Sequence, residues 1–187
     1  VFSAMENDRI AWHPNATPGN GVTITDEVVE PVGISLADID GDGDQDAISI
    51  SGADNNSKLT WHENNGNGGF VSHHIITSQI DNGRDVYSAD IDGDGDLDVL
   101  SASMTDDKIA WYENDGSGNF GSQQIITTQA DGAFDVYAAD VDNDGDMDVL
   151  SASENDDKIA WYENDGNGIF GSQQVITPQA DDARSVY

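Results

Sequence analysis

The sequence contains no cysteine and only six basic residues, and each shortage restricts what the protein can be. Without cysteine no disulfide can stabilise the fold, and cysteine content does not indicate whether the protein works in an oxidising or a reducing compartment. The 37 acidic residues set against six basic ones give a formal net charge of −31 at pH 7. A surface this negative repels nucleic acid and anionic membranes, so we expect neither as a partner.

Long apolar runs and helical periodicity are also missing. No run reaches the roughly 18 apolar residues of a membrane-spanning helix. The chain shows no signal peptide and begins at Val1, so we expect a mature fragment or a piece of a longer protein. Extreme acidity can indicate disorder, but four Trp, five Tyr and five Phe among many β-branched residues predict a folded core.

An acidic stretch of alternating carboxylates, residues 90–98, has the sequence Asp-Ile-Asp-Gly-Asp-Gly-Asp-Leu-Asp. Its glycines let a short loop curl so that several oxygens converge, which suits Ca²⁺ with its flexible shell of about six to eight oxygens. In calcium-loop numbering Asp90, Asp92 and Asp94 take positions 1, 3 and 5, Asp96 at position 7 offers its carbonyl, and Asp98 at position 9 completes the shell.

The same pattern occurs at 38–46 and 140–148, so about three Ca²⁺ are expected, one per loop. The predicted metal ligands are Asp38, Asp40, Asp42, Asp44, Asp46, Asp90, Asp92, Asp94, Asp96, Asp98, Asp140, Asp142, Asp144, Asp146 and Asp148. Position 12 is serine in every loop, so the bidentate Glu of a helix-loop-helix calcium sensor is absent. We therefore predict a structural metal that ties two strands together.

Aromatic residues recur with the loops at a period of about 50. The tryptophans stand at 12, 61, 111 and 161, the phenylalanines at 70, 120 and 170, and the tyrosines at 87, 137 and 187. The best-formed repeat contains four strand-like segments, at 135–139, 148–153, 158–164 and 173–177. The pattern predicts an all-β fold, a β-propeller of four-stranded blades with the acidic loops between first and second strands. A parallel β-helix is the rival, although its repeats are usually much shorter.

The repeat also predicts how the chain divides. We expect a partial blade of strands two to four at 1–25, blades at 26–83, 84–133 and 134–183, and the first strand of a further blade at 184–187. A three-residue deletion around 15–20 accounts for the shorter first connector.

The acidic loops, the Lys-Ile-Ala-Trp-Tyr-Glu-Asn strands and the Phe-Gly pairs at 120–121 and 170–171 together resemble the FG-GAP and VCBS repeat families. The resemblance covers the whole chain and implies a calcium-loop β-propeller like those of integrin head domains. Two positions depart from it: Val71 follows Phe70 in place of glycine, and Asn143 replaces the position-4 glycine of the third loop. Because Asn tolerates left-handed backbone, we expect that loop still to bind. Many such repeats belong to secreted bacterial proteins, which implies a secreted or cell-surface bacterial location.

The remaining chemistry-bearing residues favour structural roles. His13 and His62 take the place of Tyr in other repeats and His73-His74 take the place of Gln-Gln, which argues against a zinc or catalytic site. No nucleophile elbow or phosphate-binding glycine loop is present, so we expect no enzyme activity. The tryptophans are predicted to fill the core between blades, with sugar stacking as the alternative. Glycosylation sequons begin at Asn15 and Asn55.

The favoured interpretation is a Ca²⁺-binding, non-catalytic extracellular repeat module for protein interaction, adhesion or scaffolding. Two alternatives stay open: a self-associating structural repeat that forms a fibre or ring, and a carbohydrate-binding accessory domain of a secreted enzyme. The expected partner is accordingly a protein or glycan ligand, another copy of the chain, or the continuation of a longer parent chain.

Overall fold

The computed structural model describes residues 2–4, 8–13, 21–26, 28–53 and 56–187, and the backbone alone for 2–4. Within these residues the chain forms fifteen strands in four antiparallel sheets and no helix, so the all-β prediction is confirmed. In chain order the strands are β1 (Phe2–Ala4), β2 (Ile10–Trp12), β3 (Val22–Thr25), β4 (Pro31–Ala37), β5 (Asp46–Ser51), β6 (Leu59–Asn64), β7 (Phe70–Thr77), β8 (Gly83–Ala89), β9 (Asp98–Ser103), β10 (Lys108–Tyr112), β11 (Gln124–Thr127), β12 (Ala133–Ala139), β13 (Asp148–Ser153), β14 (Lys158–Tyr162) and β15 (Gln174–Thr177). None of the described residues belongs to a helix of the length and hydrophobicity that a membrane span requires.

Each sheet is a meander whose strands pair in chain order. The first has three strands, β1-β2-β3, and the others have four: β4 to β7, β8 to β11 and β12 to β15. Hydrogen bonding between consecutive strands follows from the short Gly- and Asn-rich turns, which reverse the chain within a few residues. The second strand of each four-stranded sheet is almost fully buried, because it has neighbours on both edges and both faces.

The third strand ends earlier in the last two sheets than the sequence pattern indicates. The segment 158–164 was predicted as one strand, but β14 ends at Tyr162. Asn164 instead forms an isolated bridge with Phe170, and its backbone N–H donates to the carboxylate of Asp148 at 2.9 Å. The strand therefore stops where its backbone turns towards the acidic loop.

The first strands of successive sheets, β4, β8 and β12, lie side by side. Ser35 on β4 is hydrogen-bonded to Ser88 on β8 at 3.1 Å, and the rings of Tyr87 and Tyr137, on β8 and β12, have centroids 4.8 Å apart. Residues 184–187 form no strand, yet Val186 N–H donates to Asp135 on β12 as Val136 N–H donates to Asp85 on β8. The end segment therefore lies beside β12 in the way that β12 lies beside β8.

Tryptophans fill the space between sheets. A Cβ added to Gly118 would lie 2.3 Å from the ring of Trp61, and one added to Gly168 would lie 2.3 Å from Trp111. Trp61 and Trp111 are 4% and 2% exposed, so they belong to the core and do not offer an open face to a sugar. The shortened connector at 15–20 and the starting residues of both sequons, Asn15 and Asn55, lie outside the described residues.

Candidate metal centre

Each acidic loop joins the first and second strands of a four-stranded sheet. The strands stay paired up to the loop, with Ala37 opposite Asp46, Ala89 opposite Asp98 and Ala139 opposite Asp148. Position 9 of each loop is thus the first residue of the second strand. The antiparallel pairing fixes both ends of the loop, so the eight residues between each pair must form a tight turn.

Three carboxylates converge in every loop. In each group one ligand atom per residue lies within 4.8 Å of the others, and the groups are Asp38, Asp40 and Asp42; Asp90, Asp92 and Asp94; and Asp140, Asp142 and Asp148. The first two groups are positions 1, 3 and 5, as the calcium-loop pattern predicts. In the third loop position 9 takes the place of position 5.

Glycines and one asparagine give the loops their curvature. Position 4 is left-handed in all three, with φ of 73° at Gly41, 77° at Gly93 and 66° at Asn143. Asn143 therefore adopts the conformation of the glycines it replaces, as expected for a residue that tolerates the left-handed region. The position-6 N–H donates back to the position-1 carboxylate, for example Gly95 N–H to Asp90 Oδ2 at 3.1 Å.

Position 9 supports the loop from inside. Asp46, Asp98 and Asp148 are fully buried, and each accepts backbone N–H donors on both carboxylate oxygens. Burial raises the pKa of Asp98 to about 7 and raises that of Asp46, against the lowering effect of those hydrogen bonds. Asp46 and Asp98 lie outside the convergent triplets. Each accepts one N–H from its own acidic loop and one from the asparagine near the end of the third strand, Asn64 or Asn114.

Position 7 contacts the neighbouring hairpin of its own sheet. A Cβ added to Gly116 would lie 2.3 Å from Asp96 Oδ2, and Gly66 and Gly166 stand in the same relation to Asp44 and Asp146. These three aspartates are not members of the convergent triplets. Only glycine leaves room for the carboxylate beside the turn.

The electrostatics of the triplets favour a bound cation. Burial, followed by repulsion from Asp94, raises the pKa of Asp92, and the same two effects act on Asp142 with Asp144 as the neighbour. Asp38 Oδ1 is buried and accepts no hydrogen bond. An unpaired buried carboxylate oxygen among like charges is costly, and a cation would remove that cost. All of the donors are oxygens, which is the preference of a hard cation such as Ca²⁺.

The sequence pattern assigns no role to Asn114 and Asn164, two almost fully buried residues just beyond the ends of the third strands. The Asn114 side chain donates to Ile39 O, in the loop of the preceding sheet, at 2.8 Å, and to Leu97 O at 3.1 Å. A signal existed, since Asn occupies this position in all three repeats, but the sequence does not show which loop it contacts.

His62 and His73 occupy the strand positions of Tyr112 and Gln123, as the repeat comparison indicates, but the expectation that the histidines lie at the surface is wrong for His62, which is fully buried. His62 Nε2 lies 2.8 Å from Ser49 Oγ, and its Nδ1 lies 2.8 Å from His73 Nδ1. The corresponding residues of the next sheet form a Ser101, Tyr112 and Gln123 chain. Burial lowers the pKa of His62 to about 3, with a further lowering from His73. Ser49 is 1% exposed, so a substrate has no access to its hydroxyl.

Comparison with known proteins gives a family and a fold. Among solved structures the chain is similar to one titled as the structural basis of specific recognition of non-reducing terminal N-acetylglucosamine by an Agrocybe aegerita lectin, at a TM-score of 0.62 and 18% identity. The similarity covers 94% of this chain and 48% of that one, so this chain spans about half of the lectin chain. At this identity it shows the fold alone. No curated protein matches the chain.

A sequence model described as the FG-GAP-like repeat matches three overlapping segments, residues 38–101, 90–151 and 140–187. Each matched segment begins at the first aspartate of an acidic loop. Together the segments run without a gap from residue 38 to residue 187, and the chain belongs to the FG-GAP-like repeat family.

Proposed function

We propose that the protein is a Ca²⁺-stabilised, non-catalytic recognition module whose sheets are blades of a β-propeller. The observation that carries the proposal is the convergence of three carboxylates, within 4.8 Å, at the same strand junction in three successive sheets. The repeated FG-GAP-like segments and the side-by-side inner strands support the propeller arrangement.

The metal would be held by the convergent triplets and would act as a cross-link. Asp38, Asp40 and Asp42 follow β4 directly and lead into β5, so a cation held there connects the ends of two strands. When bound, Ca²⁺ supplies positive charge that offsets carboxylate repulsion. The flanking strands stay rigid through their pairing, which suits a structural ion better than a switch.

The recognition role assigns no catalysis to the chain. Ser49 and His62 are buried and closed to substrate, although His73 at the end of their hydrogen-bond chain is exposed. Tyr and Gln replace both histidines in the next repeats. A secreted or cell-surface setting fits the proposal, because extracellular Ca²⁺ is sufficient even for sites of about 10⁻⁴ to 10⁻³ M affinity.

Removing calcium is the direct test. One site at a free Ca²⁺ concentration one hundred times its Kd adds about 2.7 kcal/mol of stability. For a chain of this size that corresponds to roughly 5 to 10 °C in Tm. Calorimetry with and without chelator should therefore show a fall of at least this size. An identical melting curve with the ions removed rules out a structural metal.

A matched pair of variants assigns the effect to the loops. Asp94→Ala removes a carboxylate of the second triplet, whereas Asp131→Ala removes an exposed carboxylate with one hydrogen bond, to Asn155. Only the first should reduce the number of ions bound, measured by native mass spectrometry. Equal stoichiometry in the two variants would contradict the assignment of Asp94 as a ligand.

Glycan binding is the second candidate for the recognition role. The similarity to a solved lectin over 94% of this chain favours it, and its title names non-reducing terminal N-acetylglucosamine. A glycan array on the Ca²⁺-loaded chain should then show saturable binding to at least one terminal sugar. A blank array, with binding to immobilised protein ligands instead, would favour a protein-interaction role.

A further inference from the structure

The three acidic loops are joined to one another by two buried asparagines. Asn114 Nδ2 donates to Ile39 O of the first loop and to Leu97 O of the second, while its backbone N–H donates to Asp98 Oδ1 at 2.9 Å. One side chain and its own backbone therefore hold position 2 of one loop and positions 8 and 9 of the next.

Asn164 repeats this arrangement between the second and third loops. Its side chain donates to Ile91 O at 2.7 Å and to Met147 O at 2.9 Å, and its backbone N–H donates to Asp148 Oδ1 at 2.9 Å. Asn114 and Asn164 are 0% and 2% exposed, so these hydrogen bonds are protected from competing water. The loops thus form one continuous hydrogen-bonded series across three sheets.

The adjoining hairpins add a second contact between loops. A Cβ added to Gly93 in the second loop would lie 3.4 Å from Gly166 O, which belongs to the hairpin of the next sheet. The same hairpin packs against Asp146 of the third loop. The Asn164 hydrogen bonds and the Gly166 turn therefore connect the backbone of the second loop to that of the third.

We propose that Asn114 and Asn164 couple the three loops so that they bind Ca²⁺ with positive cooperativity; this rests on the proposed calcium binding. An ion in one loop fixes the carbonyl at position 2, and that carbonyl holds the asparagine that supports the next loop. The second loop then loses less conformational entropy when it binds, and the coupling is reciprocal.

Asn64 provides an internal control. It occupies the same repeat position, but its Nδ2 donates to Gln45 O and its backbone N–H to Asp46 Oδ1, both in its own loop. The Asn64→Ala variant therefore removes a side-chain hydrogen bond to one loop without breaking a connection between two loops. Asn114→Ala and Asn164→Ala each remove the side-chain hydrogen bond to the loop of the same sheet and the one to the loop of the preceding sheet.

The experiment is a Ca²⁺ titration by isothermal calorimetry on chelator-stripped full chain. Wild type should bind three ions with a Hill coefficient above 1, and later ions should bind roughly fivefold or more tightly than the first. The Asn114→Ala/Asn164→Ala double variant should bind three ions with a Hill coefficient near 1, and Asn64→Ala should stay cooperative. Three ions bound independently by wild type, or cooperativity that survives the double variant, would overturn the coupling.

Loop variants test the same coupling with both asparagines intact. Asp94→Asn disables the middle loop and leaves the two outer loops, which share no asparagine. Asp142→Asn disables the third loop and leaves the first two, which share Asn114. The two remaining ions should bind independently in the first variant and cooperatively in the second, and equal Hill coefficients would overturn the proposal. Failure to bind any ion in wild type would instead refute the calcium proposal itself.

Discussion

At the residue scale, the repeats differ most where one sheet buries a titratable group that the others replace. His62 is fully buried and hydrogen-bonded to Ser49, whereas Tyr112 and Tyr162 fill the corresponding position in the next two sheets. Burial raises the pKa of Tyr112 above its ordinary value, so that phenol stays neutral in the physiological range. The same chain thus contains a pH-sensitive and a pH-insensitive version of one structural position. Comparing the two versions therefore measures the electrostatic cost of burying the histidine.

Replacing His62 and His73 with Tyr and Gln should reduce acid sensitivity. Burial lowers the folded-state pKa of His62 to about 3 while the unfolded value is near 6.5, so the unfolded state binds more protons between these values. Stability from the neutral imidazole is complete above pH 6.5 and is lost as the pH falls towards 3. Between pH 7.5 and 4.5 wild type should lose about 2 to 3 kcal/mol more than the His62→Tyr/His73→Gln variant.

Urea unfolding at several pH values measures this difference directly, because both proteins share every acidic loop. His74→Gln is the control, since His74 is an exposed residue stacked on Trp61. A smaller pH slope of stability in the double variant than in His74→Gln assigns the difference to the buried pair. Parallel slopes for wild type and the double variant would show that His62 carries no such cost.

A second buried group, Asp85, should give stability the opposite dependence on pH. Burial, then a hydrogen bond and charge repulsion from Asp135, raises the pKa of Asp85 to about 8. The folded state therefore binds more protons than the unfolded state from about pH 4 upward, and stability falls as the pH rises through 8. The Asp85→Asn variant should be more stable than wild type at pH 8, by about 1 to 2 kcal/mol after discounting for partial exposure.

The difference between Asp85→Asn and wild type should become small towards pH 4, where the folded-state carboxyl is protonated and the unfolded-state carboxyl is about half protonated. Asp135→Ser introduces the residue that stands at the equivalent position 185 and should shift stability in the same direction. Denaturant midpoints measured at pH 4, 6 and 8 test whether the stability difference between the variants and wild type depends on pH. A pH-independent difference would show that lost packing, not charge, separates the variants.

At the scale of the strand and the turn, glycine spacing determines how one sheet fits its neighbour. Gly118 has φ of 75°, and a Cβ there would lie 2.3 Å from the Trp61 ring of the preceding sheet. Gly121 has more room, because the nearest atom, Glu113 O, is 3.6 Å from an added Cβ. An added side chain therefore clashes at Gly118 but has room at Gly121 of the same hairpin.

Gly118→Ala should destabilise the protein by about 2 to 4 kcal/mol, because backbone strain adds to overpacking against Trp61. Gly121→Ala should stay within about 0.5 kcal/mol of wild type. Thermal unfolding monitored by tryptophan fluorescence reports both stability and the environment of the indole. Equal stabilities in the two variants would mean that Trp61 moves aside at no cost.

The sequence allowed prediction of elements far better than of the contacts between them. Period-two patterns and turn residues located β13 at 148–153 as observed, and the period of 50 identified equivalent positions. Neither pattern shows which neighbouring sheet a side chain faces. Asn114 contacts Ile39, 75 residues earlier, and that separation follows from the stacking of sheets, which no local pattern determines.

Across the whole molecule, basic residues lie at the end opposite the acidic loops, where acidic side chains pair with them: Lys108 with Asp106, Lys158 with Asp156 and Arg184 with Glu154. The acidic loops lie at one end of the sheets together with Asp115 and Asp165 in the adjacent hairpins. Lys108 and Lys158 pair with Ser103 and Ser153 at the other end. Arg84 and Arg184 lie there too, with their guanidinium carbons over the Phe134 ring, 5.6 and 5.5 Å from the ring centroid. The loop end therefore carries uncompensated negative charge.

Salt should consequently stabilise the metal-free protein much more than the Ca²⁺-loaded one. Raising NaCl from 0.01 to 1 M shortens the Debye length from about 30 to 3 Å, which is short enough to screen carboxylates within one loop. We expect the Tm of chelator-treated protein to rise by several degrees over this range. With Ca²⁺ bound, the same repulsion is already offset, so the rise should be smaller.

A variant with less loop charge separates this effect from general salting-out. Asp38→Asn/Asp90→Asn/Asp140→Asn removes one carboxylate from each triplet, leaving buried apolar surface and backbone pairing unchanged. Its Tm in chelator should depend less on NaCl and should exceed that of wild type at 0.01 M, because like charges at short range then repel less. If the variant and wild type show the same salt slope, the repulsion is spread over the whole surface and the loops are not its source.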